Sequence, residues 1–218
     1  VKSLKVNGSN EVPTTYSALR TFHMLGHLPL MLHRDPKNVL VLTFGAGIAS
    51  GAVAQHELEQ IDVVEISREA IEASNFFLTE NKAVLYDPRV QLIIDDGRNY
   101  LLRTDNHYDV ITSDATHPLG GDSWVLYTRE FYELSKKRLN PDGIMTQWLP
   151  LHMIAPADYK AIIKTFQSVF PETSLWYTND YTLMLGSMNE LTIDFTLLKQ
   201  RFQNQKVKED LTKFHLGT

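Results

Sequence analysis

The chain has 218 residues, enough for one domain with a sizeable core and small appendages. A hydrophobic share of 43%, a charged share of 22% and a net charge of −5 are ordinary for a globular protein and leave no basic footprint for nucleic acid. Cysteine is absent, which excludes disulfides and thiolate chemistry; no secretory signal pattern is present, and no apolar run reaches the ~18 residues of a membrane-spanning helix.

Residues 3–12 carry Asn7-Gly8 between two extended segments, the mark of a tight hairpin. A lone hairpin is not stable in water, so this one is expected to pack on the domain or on another subunit. Thr14 or Thr15 can cap a helix running to about Gly26, with Leu19, Phe22 and Leu25 at helical spacing and Pro29 marking its end. His23 and His27 lie one turn apart on it. No third ligand follows at a recognisable spacing, so packing or hydrogen bonding is expected of them rather than metal binding.

The chain is organised around residues 39–56, VLVLTFGAGIASGAVAQH. A short apolar run breaks at Gly45-Ala46-Gly47 and resumes as a small-residue helix, which predicts a buried parallel strand turning tightly into a helix. Such glycines let the backbone approach a ligand. A second apolar run ends in Glu65, about twenty residues on, where nucleotide-binding sheets place an acid on the ribose hydroxyls. The spacing is G-x-G-x-x-x-G, so the turn alone is weak evidence. Strand, turn, helix, strand and acid together point to a nucleoside cofactor.

Strands and helices then alternate as a parallel sheet covered on both faces requires. A helix over residues 68–79 leads to a strand at 90–94 ending in Asp95-Asp96-Gly97, and a short helix follows. Residues 108–114 form a fourth strand and 115–122 a loop rich in Gly and Pro; a helix spans 128–139. Asn140-Pro141-Asp142-Gly143 reads as a turn before a fifth strand. Pro156 opens a helix that Pro171 ends, and two last strands meet at Asn179-Asp180 as an antiparallel hairpin. The tail from Leu191 is helical in pattern, with a thin stripe of Phe195, Leu198 and Phe202. The expected organisation is a hairpin (1–14), a nucleoside-binding catalytic domain (15–188) and a helical tail (189–218).

Glu65, Asp96 and Asp114 each close a strand, so an open parallel sheet gathers three carboxylates beside the glycine turn along one edge. Charges grouped there need hydrogen-bond donors, which ribose hydroxyls and an adenine amino group supply. Asp96 and Asp114 can also serve simply as caps of the following turns. Without G-K-[ST] after the glycines a nucleoside triphosphate does not fit. A nicotinamide cofactor or an adenosyl sulfonium donor remains, and the acid after the third strand and the terminal strand pair suit the second.

The stretches DPRVQLIIDDGRNYL, YDVITSDATHPLGGDSWVLYTREFYE and LNPDGIMTQW resemble the spermidine synthase (polyamine aminopropyltransferase) family, and the likeness runs over most of the chain. It implies a Rossmann-like, class I methyltransferase fold: a mostly parallel seven-stranded sheet with an antiparallel final strand, plus the small hairpin. It implies decarboxylated S-adenosylmethionine, or S-adenosylmethionine, as co-substrate, with no metal. Gly45, Gly47, Glu65 and Ile66 would lie on the ribose side and Asp96, Gly97, Pro118 and Leu119 on the adenine side. Asp114 would face the attacking amine, with His117, Tyr127, Gln147 and Trp148 around it. The chain also resembles the domain that some bacteria fuse behind a transporter-like membrane region, which would suit a cytoplasmic piece beginning at Val1; a homodimer is a further expectation.

The sequence departs from the family on the amine side. Ala46 stands where the family has an acid for the aminopropyl ammonium, His117 stands where the second motif acid belongs, and Thr21-Phe22 replaces a Tyr-Gln pair. Three functions remain open: aminopropyl transfer to an altered amine with Asp114 and His117 as catalytic groups, methyl transfer, and nucleoside binding without catalysis.

Overall fold

A computed structural model describes residues 1–6, 9–121, 123–178 and 181–216. Seven strands form one sheet: β3 (Asn38–Leu42), β4 (Gln60–Glu65), β5 (Val90–Ile94), β6 (Tyr108–Ser113), β7 (Leu139–Pro150), β8 (Glu172–Tyr177) and β9 (Tyr181–Ser187), in the order β5-β4-β3-β6-β7-β9-β8. The first five run parallel, and β9 runs antiparallel to both β7 and β8. Strand order reverses beside β3, so the carboxyl ends of β3, β4, β5 and β6 open onto one crevice.

Alternation along the strands builds both faces. Val39 and Val41 point to one core with Ile61, Val63 and Val110; Leu40 and Leu42 point to the other with Ile111, Phe131 and Phe166. The first face is covered by α1 (Tyr16–Leu32) and α2 (Ile48–Val53), the second by α4 (Gly97–Arg103), α5 (Arg129–Arg138) and α6 (Pro156–Gln167). The hairpin of β1 (Ser3–Val6) and β2 (Ser9–Pro13) packs beside α1 through Val12, which meets Phe22, Ala46 and Phe77. The expected turns at Asn7-Gly8 and Asn179-Asp180 lie outside the described residues, although both pairs of flanking strands are in place.

Three expectations about elements are corrected. Helix α1 does not end at Pro29 but continues to Leu32, capped at its start by Thr15. Proline leaves the carbonyl four residues earlier without its amide, and here the Leu25 carbonyl accepts from the Thr112 hydroxyl at 3.2 Å instead. The helix expected over 68–79 is α3 (Arg68–Ala73) followed by a 3-10 turn, Ser74–Phe77. Asn140-Pro141-Asp142-Gly143 does not separate two elements. Leu139 pairs with Tyr108 and Ile144 with Val110, so residues 140–143 bulge opposite Asp109, whose carboxylate accepts from Asn140 Nδ2 at 2.6 Å.

The tail forms α7 (Phe195–Arg201) and α8 (Gln205–Lys213). Leu198 and Phe202 pack with Val207 and Leu211 against Met31 of α1, while Phe195 stays 71% exposed. No helix among the described residues is long and apolar enough to cross a membrane.

Candidate active site

The turn after β3 is built from unusual backbone. Thr43, Gly45 and Gly47 have φ of 64°, 55° and 79°, and a Cβ on Gly47 would sit 2.3 Å from the Phe44 ring. Glu65 holds this turn: Oε2 accepts from the amides of Phe44 (2.9 Å) and Gly45 (3.0 Å), and Oε1 from Ser67 (2.9 Å). A carboxylate offers about four acceptor positions, so roughly one is left for a ribose hydroxyl. Ile66, next in the chain, is 68% exposed on the same rim.

Asp96 caps α4, accepting from Asn99 N–H at 2.8 Å through Oδ1, while Gly97 begins the helix. Asp96 lines an open crevice of about 480 Å³ together with Arg98, Asn99, Trp124, Val125, Thr128 and Glu130. Trp124 is 57% exposed there, a flat apolar face beside an acceptor, as a purine with an amino group requires. Residue order alone did not single it out; a large aromatic in a Gly-rich loop was the available signal.

Asp114 is the different acid. Its backbone is tied to β3, N–H to Leu42 carbonyl at 3.2 Å, yet no group among the described residues donates to its part-buried carboxylate. Burial and then the negative charge of Glu11 push its pKa up to about 7. Glu11 lies on β2, brought to the sheet edge by the hairpin, and nothing local in the sequence marks it.

The loop after Asp114 is pinned from several sides. His117 Nε2 lies 3.1 Å from the His152 carbonyl and Nδ1 accepts from Leu119 N–H at 3.2 Å, which commits both ring nitrogens. Pro118 is buried and Leu119 is 63% exposed. Tyr127 donates to the carbonyls of Thr116 (3.1 Å) and Trp148 (3.3 Å), joining this loop to β7. Gln147 is fully buried and donates to the Leu126 carbonyl at 2.9 Å. Trp148 and His152 both pack against Tyr181, with ring centroids 5.6 and 5.4 Å away, and His152 also lies 5.7 Å from His117. Ala46 points its methyl into the apolar cluster under the hairpin.

Away from this edge, His23 and His27 do find a third polar partner. Asp210 of α8, 183 residues beyond His27, accepts from His23 Nδ1 at 2.7 Å and His27 Nε2 at 3.1 Å. His27 Nδ1 then meets His56 Nε2 at 2.9 Å, and Lys82 Nζ lies 2.7 Å from Asp210 Oδ1. Geometrically these three side chains could also hold a metal ion. With Asp210 ionised, however, each imidazole turns an N–H rather than a lone pair toward it, and the Lys82 ammonium supplies the compensating charge. The sequence separation explains why no spacing rule could show the third group.

The chain is similar to known proteins. The model of the spermine/spermidine synthase domain matches residues 20–207. A polyamine aminopropyltransferase of Methanocaldococcus jannaschii is 30% identical over 208 residues, 89% of this chain and 70% of that protein. Among solved structures, a spermidine synthase in complex with the transition-state analogue AdoDATO superposes with a TM-score of 0.72 at 23% identity, covering 88% of this chain and 76% of that one. Human methyltransferase-like protein 13 in complex with SAH superposes at 0.65 and 20% identity, covering 90% and 91%. At those identities the two structures speak for the fold alone. The matched domain and the archaeal relative go further: the chain belongs to the spermine/spermidine synthase family, and with it to the transferases.

Proposed function

We propose that this protein transfers an aminopropyl group from decarboxylated S-adenosylmethionine to an amine whose far end differs from that of a simple diamine. The observation that carries this reading is Asp114, a carboxylate without a hydrogen-bond partner among the described residues, at the end of β6 beside the glycine turn. In the reaction the amine lone pair attacks the carbon next to the sulfonium. The C–S bond breaks with its electrons going to sulfur, methylthioadenosine leaves, and the new ammonium gives up a proton. An alkylammonium near pKa ~10.4 loses a proton to an ordinary Asp at a cost of about 9 kcal/mol. With Asp114 at about 7 the cost falls to roughly 5 kcal/mol. Asp114 thus orients the amine and accepts part of its charge, and alignment of nucleophile, carbon and sulfur supplies most of the rate.

Two features support the altered acceptor. The position of the family's second acid is His117, whose ring is committed to the loop. The wall beyond it is made by the rings of His152, Tyr181 and Trp148. An aromatic wall suits an amine with an apolar end better than a second ammonium stripped of its counter-charge.

Calorimetry with decarboxylated S-adenosylmethionine, S-adenosylmethionine and methylthioadenosine tests the donor, followed by a mass-spectrometric screen of amines. Preference for the decarboxylated donor and a product heavier by one aminopropyl group are expected. Preference for the carboxylated donor would favour methyl transfer, the reading that the buried methyl of Ala46 supports. Binding of none of the three would remove Glu65 and Asp96 from a nucleoside site.

A further inference from the structure

The glycine turn is held from two sides. Glu65 fixes the amides of Phe44 and Gly45, as described; from beneath, Asn81 Nδ2 donates to the Ala46 carbonyl at 2.9 Å and to the Ser74 carbonyl at 3.1 Å. Asn81 is 2% exposed, and its backbone packs so closely on α2 that a Cβ on Gly51 would lie 2.5 Å from its carbonyl oxygen. Its Oδ1 accepts from Ala83 N–H at 2.9 Å.

The two residues after Asn81 are strained. Lys82 and Ala83 have φ of 57° and 51°, a conformation that side-chain-bearing residues rarely adopt and that persists only where the surroundings enforce it. Asn81 enforces it at Ala83. The Lys82 ammonium is held 2.7 Å from Asp210 of α8. Asp210 is buried, which by itself raises a carboxyl pKa, but hydrogen bonds from His23, His27 and Lys82 outweigh burial and keep it ionised.

We infer that Asp210 is a positioning residue for the donor site: through Lys82 and Asn81, the C-terminal helix α8 sets the glycine turn. This rests on the reading of that turn as the donor's cradle. The contacts form one continuous chain from α8 to Ala46, and the strained pair at its centre is spanned by the turn's own backbone bonds, Ala83 N–H to the Leu78 carbonyl (3.0 Å) and Val84 N–H to the Asn81 carbonyl (3.1 Å).

The full chain is compared with Asp210→Asn, Asn81→Asp, Lys82→Met and Lys82→Arg, and with Val207→Ala, which thins the packing of the same helix without touching the chain of contacts. Methylthioadenosine affinity, the KM of donor against that of acceptor, and amide exchange over residues 44–51 are measured. Asp210→Asn, Asn81→Asp and Lys82→Met are expected to weaken nucleoside binding about tenfold, the scale of one buried hydrogen bond, and to speed exchange in the turn while acceptor KM holds. Lys82→Arg should restore both values. Val207→Ala should lower Tm and change neither. The inference is overturned if Asp210→Asn leaves turn exchange unchanged, or if Val207→Ala reproduces its effects. If the unmodified chain binds no nucleoside, the functional reading has failed, and the exchange comparison still decides whether α8 sets the turn.

Discussion

Glu65 and Asp114 stand at the ends of β4 and β6, on the same edge of the same sheet, and the fold treats them in opposite ways. Three backbone amides saturate most of Glu65, while no group among the described residues donates to Asp114. A carboxylate surrounded by amides is a structural clamp with little capacity to spare. One left half-buried beside another acid is driven toward its neutral form and gains most from an arriving cation. Position on a sheet edge therefore does not tell a clamp from a reactive group; the surrounding donors do.

Asp114→Asn is the severest test of that contrast. Turnover should fall by about a hundredfold or more, the usual scale for a positioned acid–base group, while methylthioadenosine still binds in calorimetry. Equal loss of binding and turnover would place Asp114 among the clamps. Glu65→Gln should act on the fold first. An amide group cannot accept from three N–H donors as a carboxylate does, so urea unfolding should show about 1–3 kcal/mol less stability. A variant as stable as the unmodified protein would show that the turn holds itself. The smallest expected effect belongs to Glu11→Gln. Its charge raises the pKa of Asp114, so its removal should shift the carboxyl titration, followed by carbon NMR, from near 7 toward lower pH. An unmoved titration would leave burial as the sole cause.

Much of the donor side was readable in order along the chain. The apolar runs, the glycine pair and the acids at strand ends are local signals, and a parallel sheet places the ends of its strands together by topology. Boundaries failed where a distant group took over a local rule. Pro29 is tolerated because Thr112 satisfies the carbonyl it frees, and the Asn-Pro-Asp-Gly stretch bulges beside Asp109 instead of dividing two elements. The DPRV stretch was legible as a family mark, but its local work was not: Arg89 donates to the carbonyls of His56 (2.7 Å) and Ala54 (2.6 Å), closing the end of α2. The acceptor side was less legible because its parts come from the hairpin, from β7 and from the loop after β6.

By itself the sequence determined the sheet, its doubly covered core and the three acids along one rim, because periodicity and strand-end placement are properties of adjacent residues. Only the tertiary structure decided what each acid does. It spent Glu65 on the turn, left Asp114 open beside Glu11, and brought Asp210 against Lys82 and two histidines from the far end of the chain. Hydrogen-bond saturation and Coulomb interactions depend on distance in space, and residues remote along the chain carry no local pattern that records it.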